Sequence, residues 1–447
     1  MDINMFMGLG RADTSKKRDK TKRHVKMSVG EANHMIFLGK SGYGKTTLMR
    51  GLVEEINIAH NMAKIPAMII VLEKKTDHTK AEKIHEIYNT ETEKSSDNKI
   101  YKKYGEWVWN YIENYIQMQN QYKEHLGMMG DFAFGVPNII GKFYKYDDKN
   151  TFLGRQGLQP YVFPTRRFVF RPRRRKEYIS MDNGWHMCKV FDGKIPYDKI
   201  PFSLLSALSN LGDQAIYAQR LKNIWEVQGI KDPSIVKGIA LEYENNKSNP
   251  SATYLRIAET MYQIKNDKLF SKKDTLFTNL STDAINVIDF SSNSDLTHEE
   301  ECLIFKFLVM YAINHASQTR TPIYFVVDEV QNMLTDKNGQ WAVDKILREG
   351  RSMGINLITA TQYMYGLPQS LLMGASHVGI IGRLASHTDW KVLNKLIDDF
   401  EDSVEPPDPV STYTQYEDFK KKMKFKGWFS WDKSYTDRIE FRQPQSL

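Results

Sequence analysis

A nine-residue segment, GKSGYGKTT at positions 39–47, limits the possible folds of this chain more than any other feature. It fits the pattern G-x-x-x-x-G-K-[ST] at Gly39, Gly44, Lys45 and Thr46 without a mismatch. An apolar run of strand length precedes it, and apolar residues at helical spacing follow it. A second apolar run, 67–73, comes after that helix. This order predicts a strand–loop–helix–strand unit in a parallel sheet, which is the context that a phosphate-binding loop requires.

The residue types of this loop suit the binding of a nucleotide. Glycines let the backbone turn tightly and bring bare N–H groups to the phosphates, and the dipole of the following helix adds to the attraction. Lys45 is long enough to reach the β- and γ-phosphates, and the Thr46 hydroxyl suits a magnesium ion. We therefore predict ATP and Mg²⁺ as cofactors. The predicted ATP-binding residues are Gly39, Lys40, Ser41, Gly42, Tyr43, Gly44, Lys45, Thr46 and Thr47.

The second half of the expected site lies in PIYFVVDE at 322–329. An apolar strand that ends at Asp328 delivers a carboxylate suited to the magnesium ion. Glu329 beside it could polarise the attacking water as a general base. A further strand, NLITATQ, ends at Gln362, whose amide could sense the γ-phosphate or position that water.

Two arginines follow the helix after the acidic strand, in the segment LREGRSMG. Arginine carries the fixed charge that stabilises phosphoryl transfer, so Arg351 is a catalytic candidate together with Lys45, Glu329 and Gln362, and the alternative for either arginine is a surface salt bridge. For Arg348, a role in catalysis and a surface salt bridge have equal weight.

The composition restricts the class of protein. The net charge of +8 is a mild bias toward polyanionic partners. Cys188 and Cys302 are far apart, so there is no disulfide framework and no zinc-ligand spacing. The chain has no apolar run of membrane-spanning length and no apolar signal core. We expect a soluble intracellular protein, cytoplasmic or, if a virus encodes it, virion-associated.

Strand and helix patterns alternate, which predicts an α/β core interrupted by a mainly helical insertion. The predicted units are a basic disordered tail (1–27), the first part of the core (28–75), an insertion that is helical with a basic and aromatic loop (76–275), the second part of the core (276–397), and a linker with a C-terminal tail (398–447).

A basic run in the insertion, TRRFVFRPRRRKEY, is a candidate nucleic-acid contact. Its arginines could reach phosphates, and Phe168 and Phe170 could stack on bases of a single strand. The alternatives are a solvated basic loop or a segment that packs against acidic faces of its own insertion. The C-terminal run KKKMKFKGWFSW is a weaker candidate that could equally dock on a neighbour. The predicted contacts to nucleic acid are Arg166, Arg167, Arg171, Arg173, Arg174 and Arg175.

The segments GKSGYGKTT, PIYFVVDEVQN, REGRSMGINLITATQ and HVGIIGRL together resemble the HerA–FtsK superfamily of P-loop motor ATPases, most closely its HerA-type branch and conjugative coupling proteins. The resemblance covers roughly 28–75 and 276–396. It implies a RecA-like P-loop NTPase core, hexameric rings, and ATP hydrolysis that pumps DNA through a central channel. It also implies that Gln362 is the strand-end sensor and that Arg351 reaches into the neighbouring subunit's site.

The sequence departs from that pattern in three places. Only about 30 polar residues precede the phosphate loop, where HerA proteins usually carry a small β-barrel. The membrane helices of coupling proteins are absent. The strand after the loop helix ends in LEKKTDH (72–78) instead of an Asp-Pro-x-Gly-like turn.

Three functions compete at this point. The leading hypothesis is a DNA-stimulated ATP hydrolase and translocase, acting on double-stranded DNA as a hexameric ring with a recruiting protein partner, in DNA transfer, packaging or processing. The second is a DNA helicase, for which the sequence shows no strand-separating element. The third is a nucleotide-switched scaffold acting on a protein partner, which would have no need of Glu329.

Overall fold

Parallel strands with helices between them form most of the structure, a computed structural model. It describes residues 4–11, 22–28, 33–74, 156, 158, 163–170, 188–200, 202, 216–246, 252–267, 269–291, 294–384, 386–398, 400–404, 426–442 and 444–445.

The strands are β1 (Asn4–Arg11), β2 (Lys22–Ser28), β3 (Met35–Leu38), β4 (Met68–Glu73), β5 (Thr165–Val169), β6 (Cys188–Asp192), β7 (Ile195–Pro196), β8 (Phe270–Ser271), β9 (Ile285–Asp289), β10 (Ile323–Val327), β11 (Ile355–Thr361), β12 (His377–Ile381), β13 (Lys426–Trp431) and β14 (Tyr435–Phe441). The α-helices are α1 (Lys45–Ala63), α2 (Ile216–Lys222), α3 (Pro233–Asn245), α4 (Ala252–Asn266), α5 (His298–Thr319), α6 (Val330–Met333), α7 (Lys337–Met353), α8 (Gln369–Gly374), α9 (His387–Leu396) and α10 (Phe400–Ser403).

Twelve of the described strands form one sheet in the order β2-β1-β14-β13-β12-β3-β11-β10-β4-β9-β5-β6. The strands from β12 to β6 are parallel, and β13, β14, β1 and β2 extend the sheet with antiparallel pairs. β3 lies between β11 and β12, and β10 lies on the far side of β11. Because the carboxyl ends of parallel strands meet at one edge, the loops after β3, β10 and β11 come together there. The α/β fold predicted from the sequence is confirmed.

Helices cover both faces of the parallel strands. On one face α1 packs Leu48 and Ile56 against Phe37 and Val326. On the other face the core includes Phe305 of α5 together with residues of α7 and of the strands between them. Every residue of β3, β4, β9, β10, β11 and β12 is buried. This explains why these strands are mostly apolar and do not alternate between apolar and polar residues.

The N-terminal segment is not the disordered tail predicted for 1–27. β1 pairs with both β2 and β14, and Met5 and Met7 on it are fully buried. The backbone N–H of Phe6 donates to Glu55 Oε1 of α1 at 2.9 Å. The prediction was wrong because it rested on the basic composition of the segment. Met5 and Met7 have the spacing of one strand face, and β14, which pairs with this strand, lies at the other end of the chain.

The C-terminal segment is likewise more than a linker and tail. α10 lies within the predicted linker, and β13 and β14 form a hairpin that joins the sheet at β12. Arg442, which is fully buried, donates to Glu55 Oε2 at 2.8 Å and to Glu54 Oε2 at 3.2 Å, both on α1. The C-terminal end is therefore bound to the helix that follows the phosphate loop.

Part of the predicted insertion belongs to the main sheet. β5 and β6 fall within 76–275 yet continue the main sheet beyond β9. Helices α2, α3 and α4 lie in the same stretch, and the indole of Trp225 among them donates to Ile200 O at 2.8 Å. No helix of the described residues is both long and apolar enough to span a bilayer.

Candidate nucleotide site

The phosphate loop connects β3 to α1 at the carboxyl edge of the sheet. Gly44 is the N-cap of α1 and has a left-handed backbone, φ 99°. A Cβ on Gly39 would lie 2.3 Å from the carbonyl oxygen of Ile381, so the loop can pass β12 only with glycine there. The helix N-terminus thus opens directly on the loop, where its first N–H groups and its dipole favour an anion.

Lys45 folds back across this loop. Its side chain is 7% exposed, and Nζ donates to Gly39 O at 2.5 Å and to Lys40 O at 3.2 Å. The Lys45 ammonium is buried, hydrogen-bonded to backbone carbonyls and located at the N-terminus of α1, where it can contact phosphate oxygens.

Thr46 and Asp328 meet as the sequence predicted. The Thr46 hydroxyl donates to Asp328 Oδ2 at 2.7 Å, although the two residues are 282 positions apart. A hydroxyl and a carboxylate oxygen in contact, next to a phosphate loop, are the donor set that a magnesium ion shared with a nucleotide takes. The residues present therefore fit Mg²⁺.

Glu329 is held by two amides. It follows β10 with a left-handed backbone, φ 53°, which turns it away from the strand direction. Gln362 Nε2 donates to its Oε1 at 3.2 Å, and Asn332 Nδ2 donates to its Oε2 at 3.2 Å. Both carboxylate oxygens thus have a fixed orientation beside the Thr46–Asp328 pair. The sequence reasoning missed Asn332, although its position three residues after Glu329 at the start of a helix was a usable signal.

Arg351 lies at the opposite edge of the sheet. It is exposed near the end of α7, where its Nη2 donates to Ser376 Oγ at 2.6 Å and to Gly374 O at 3.3 Å. β11 begins just after it and ends just before Gln362, and seven strand residues span roughly 20 Å. Arg351 therefore cannot reach the phosphate loop of its own chain. Arg348 is also exposed on α7.

Two histidines near Arg351 have lowered pKa values. Burial, and secondly the Arg351 guanidinium, lower the pKa of His34 to about 4. Burial also lowers the pKa of His377. The Asp432 carboxylate acts in the opposite direction on the pKa of His377, but burial is the larger effect, so both shifts favour the neutral imidazole.

Gly382 offers a test of the loop packing. Its φ is +70°, and a Cβ there would lie 2.1 Å from Cδ1 of Tyr43, a fully buried residue of the phosphate loop. We expect Gly382→Ala to displace the loop and weaken ATP binding by about tenfold to 100-fold. Titration with a fluorescent ATP analogue measures this. Gly229→Ala is the matched control, because Gly229 has φ +66° with nothing within 4 Å of an added Cβ. Equal affinity in the two variants would contradict the packing argument.

The predicted nucleic-acid contacts divide into three groups. Arg167 is 1% exposed and forms ion pairs with Glu73 and, at 3.1 Å, with Asp289, so its assignment to nucleic acid was wrong. Phe168 and Phe170 are fully buried, which excludes them from base stacking in this structure. The reason is that this stretch is a sheet strand and not a loop.

The other predicted contacts stay predictions. Arg166 is half-buried and donates to Asn279 O at 2.7 Å. The remaining four, Arg171, Arg173, Arg174 and Arg175, lie outside the described residues.

The Arg167 ion pairs join β4, β5 and β9. Removing the guanidinium leaves two buried carboxylates without their cation, so we expect Arg167→Ala to lower the free energy of unfolding by about 3–5 kcal/mol. Denaturation in urea measures the change. Arg166→Ala, which removes a half-buried arginine from the same strand, should have a much smaller effect. Similar losses in both variants would show that the ion pairs contribute little.

These elements define an α/β P-loop ATPase fold with a RecA-like core. No protein-family model matches the chain, and no curated protein matches it. Among solved structures, it is similar to VirB4 of Thermoanaerobacter pseudethanolicus (TM-score 0.47, 11% identity, covering 98% of this chain and 96% of that one). It is also similar to the bacterial conjugative coupling protein TrwB (TM-score 0.40, 11% identity, 99% and 96%).

A smaller part of the chain is similar to B204, the DNA-packaging ATPase of Sulfolobus turreted icosahedral virus (TM-score 0.24, 18% identity, 35% of this chain and 66% of that one). The resemblance of the chain to the HerA–FtsK superfamily rests on its sequence motifs. Its likeness to the HerA-type branch stays a prediction.

Proposed function

We propose that the protein is an ATP-driven DNA translocase that works as a ring of identical subunits. One observation carries the proposal: the hydrolytic groups of one chain are assembled at the carboxyl edge, while its Arg351 projects from the opposite edge. A complete site then needs Arg351 from a second chain. Arginine supplied in this way stabilises the charge of the transferred phosphoryl group and couples hydrolysis to assembly.

Within one subunit the roles follow from the contacts. The loop N–H groups and Lys45 hold the phosphates. Thr46 and Asp328 would hold Mg²⁺, which supplies neutralisation of phosphate charge when bound. Glu329 takes a proton from the attacking water, and its orientation is fixed by Gln362 and Asn332.

Support for DNA as the substrate comes from the sequence. The motif order resembles DNA-pumping motors, the net charge is +8, and the arginines at 171–175 follow β5 directly. A hexamer, a preference for double-stranded DNA and a recruiting protein are further parts of the proposal.

The deciding experiment is steady-state ATP hydrolysis with and without long double-stranded DNA, with Lys45→Ala as the blank. We expect DNA to stimulate turnover severalfold and the blank to show none, because Lys45 crosses the phosphate site. Activity that ignores DNA would overturn translocation and favour a nucleotide-switched scaffold. Displacement of a paired strand in the same reactions would identify a helicase instead.

A further inference from the structure

Large apolar side chains are exposed at both edges of the sheet, beside Gln362 at the carboxyl edge and beside Arg351 at the opposite edge. Tyr363 and Tyr365, 55% and 76% exposed, directly follow Gln362 at the carboxyl edge. We call this pair the tyrosine surface. Met373, 62% exposed, lies in α8 near Arg351. We call it the methionine surface.

The tyrosine surface is mounted on a fixed backbone. Asp389, which is 1% exposed, accepts hydrogen bonds through Oδ1 from the N–H groups of Met364 at 2.7 Å and Tyr365 at 3.2 Å. The N–H of Tyr363 donates to Thr361 Oγ1 at 3.3 Å. Aromatic side chains on such a backbone lose little conformational entropy on binding, which suits a protein contact.

Two cations contact the backbone around Met373, and the carboxylate of Asp344 accepts a hydrogen bond at 3.0 Å from Ser370, which is in the same helix as Met373. Arg351 donates to Gly374 O, and Lys433 Nζ donates to Leu372 O at 2.8 Å and to Met373 O at 3.1 Å. The tyrosine surface, in contrast, adjoins the carboxylate of Glu329 through Gln362. Arg351 and Lys433 at one surface are opposite in charge to Glu329 at the other, and both surfaces expose apolar groups.

One chain does not bring its own Arg351 to Gln362, because the seven residues of β11, which span roughly 20 Å, lie between them. A second copy that delivers Arg351 to the γ-phosphate beside Gln362 also carries its Met373 to the same place. We propose that Tyr363 and Tyr365 of one subunit receive Met373 of the next in a head-to-tail contact. This inference rests on the proposed function and names the partner surface. Methionine sulfur packs well against aromatic rings, and tyrosine is frequent among residues that dominate interfaces.

Nucleic acid is the less suitable occupant of the tyrosine surface. The loop QYMYGLP at 362–368 contains no lysine or arginine, so it gives a phosphate backbone no cation.

Cysteine cross-linking tests the contact directly. In a Cys188→Ser background that keeps the buried Cys302, Tyr365→Cys and Met373→Cys are made separately and together, and treated with a short bis-maleimide in the presence of an ATP analogue. A head-to-tail contact predicts dimers only when the two single variants are mixed, and a ladder of larger species for the double variant. Self-dimers of either single variant, or no product in the mixture, would overturn the proposal.

Truncation gives an independent measurement. We expect Met373→Ala and Tyr365→Ala each to weaken assembly by at least about tenfold in analytical ultracentrifugation, with ATP binding by the monomer retained. Met62→Ala is the matched control, because Met62 is 81% exposed on α1. If Arg351→Ala hydrolyses ATP normally, the proposed function itself fails. If Arg351→Ala is inactive while Met373→Ala assembles like the control, only the interface inference fails.

Discussion

Glu329→Gln is expected to bind ATP with unchanged affinity and to hydrolyse it about 10²–10⁴-fold more slowly. The substitution keeps the size of the side chain, and its amide oxygen can still accept a hydrogen bond from Gln362 or Asn332. What is lost is the group that removes a proton from the attacking water. Single-turnover hydrolysis, paired with a binding titration, separates the two effects.

Glu349→Gln provides the control for that experiment. Glu349 lies on α7 and pairs only with the neighbouring Lys345 among the contacts described, so its loss should leave turnover unchanged. Normal turnover by Glu329→Gln would refute its role as general base. Loss of ATP binding would instead show that Glu329 shapes the site.

Arg351→Ala is expected to bind ATP and to lose about 10³–10⁵-fold in turnover. The loss should come from the neighbouring site, since this guanidinium lies at the wrong edge of the sheet to reach its own phosphates. Steady-state hydrolysis at concentrations that support assembly measures it. Arg256→Ala, which removes an exposed arginine of α4, is the charge-matched control.

Mixing two inactive variants tests whether Arg351 acts between chains. An Arg351→Ala subunit supplies an intact Glu329, and a Glu329→Gln subunit supplies an intact Arg351. Mixed assemblies should therefore regain part of the activity at the interfaces where both groups are present. No recovery in assemblies shown to contain both variants would contradict action in trans.

The site was largely predictable because its chemistry is encoded in short segments. Lys45 and Thr46 belong to one loop, and Asp328, Glu329 and Gln362 each follow an apolar run that is buried from end to end. Parallel strands bring such ends together whatever lies between them in the chain. Asn332 could have been proposed from its position three residues after Glu329, but its contact with that carboxylate forms at a left-handed turn that the sequence does not predict.

The edges of the sheet were not predictable in the same way. β1 and β14 pair with each other although they come from opposite ends of the chain, and only this long-range pairing joins the β1–β2 pair to the β13–β14 hairpin and so to the main sheet. Arg167 stands in a basic run, and its two acidic partners come from distant strands. A run of arginines has the same composition in a solvated loop and in a strand with buried ion pairs, so only the fold distinguishes them.

The position of β3 has a consequence for how the protein is made. β3 is among the first strands to leave the ribosome, but both of its neighbours, β11 and β12, come from the last quarter of the sequence. Asn33 and Asn356, hydrogen-bonded where β3 and β11 begin, are 323 residues apart. The phosphate loop therefore cannot take its final conformation until most of the chain has been synthesised. Until then the apolar strand β3 lacks both of its partner strands. Nascent chains stalled before β11 should depend on chaperones and should not bind ATP.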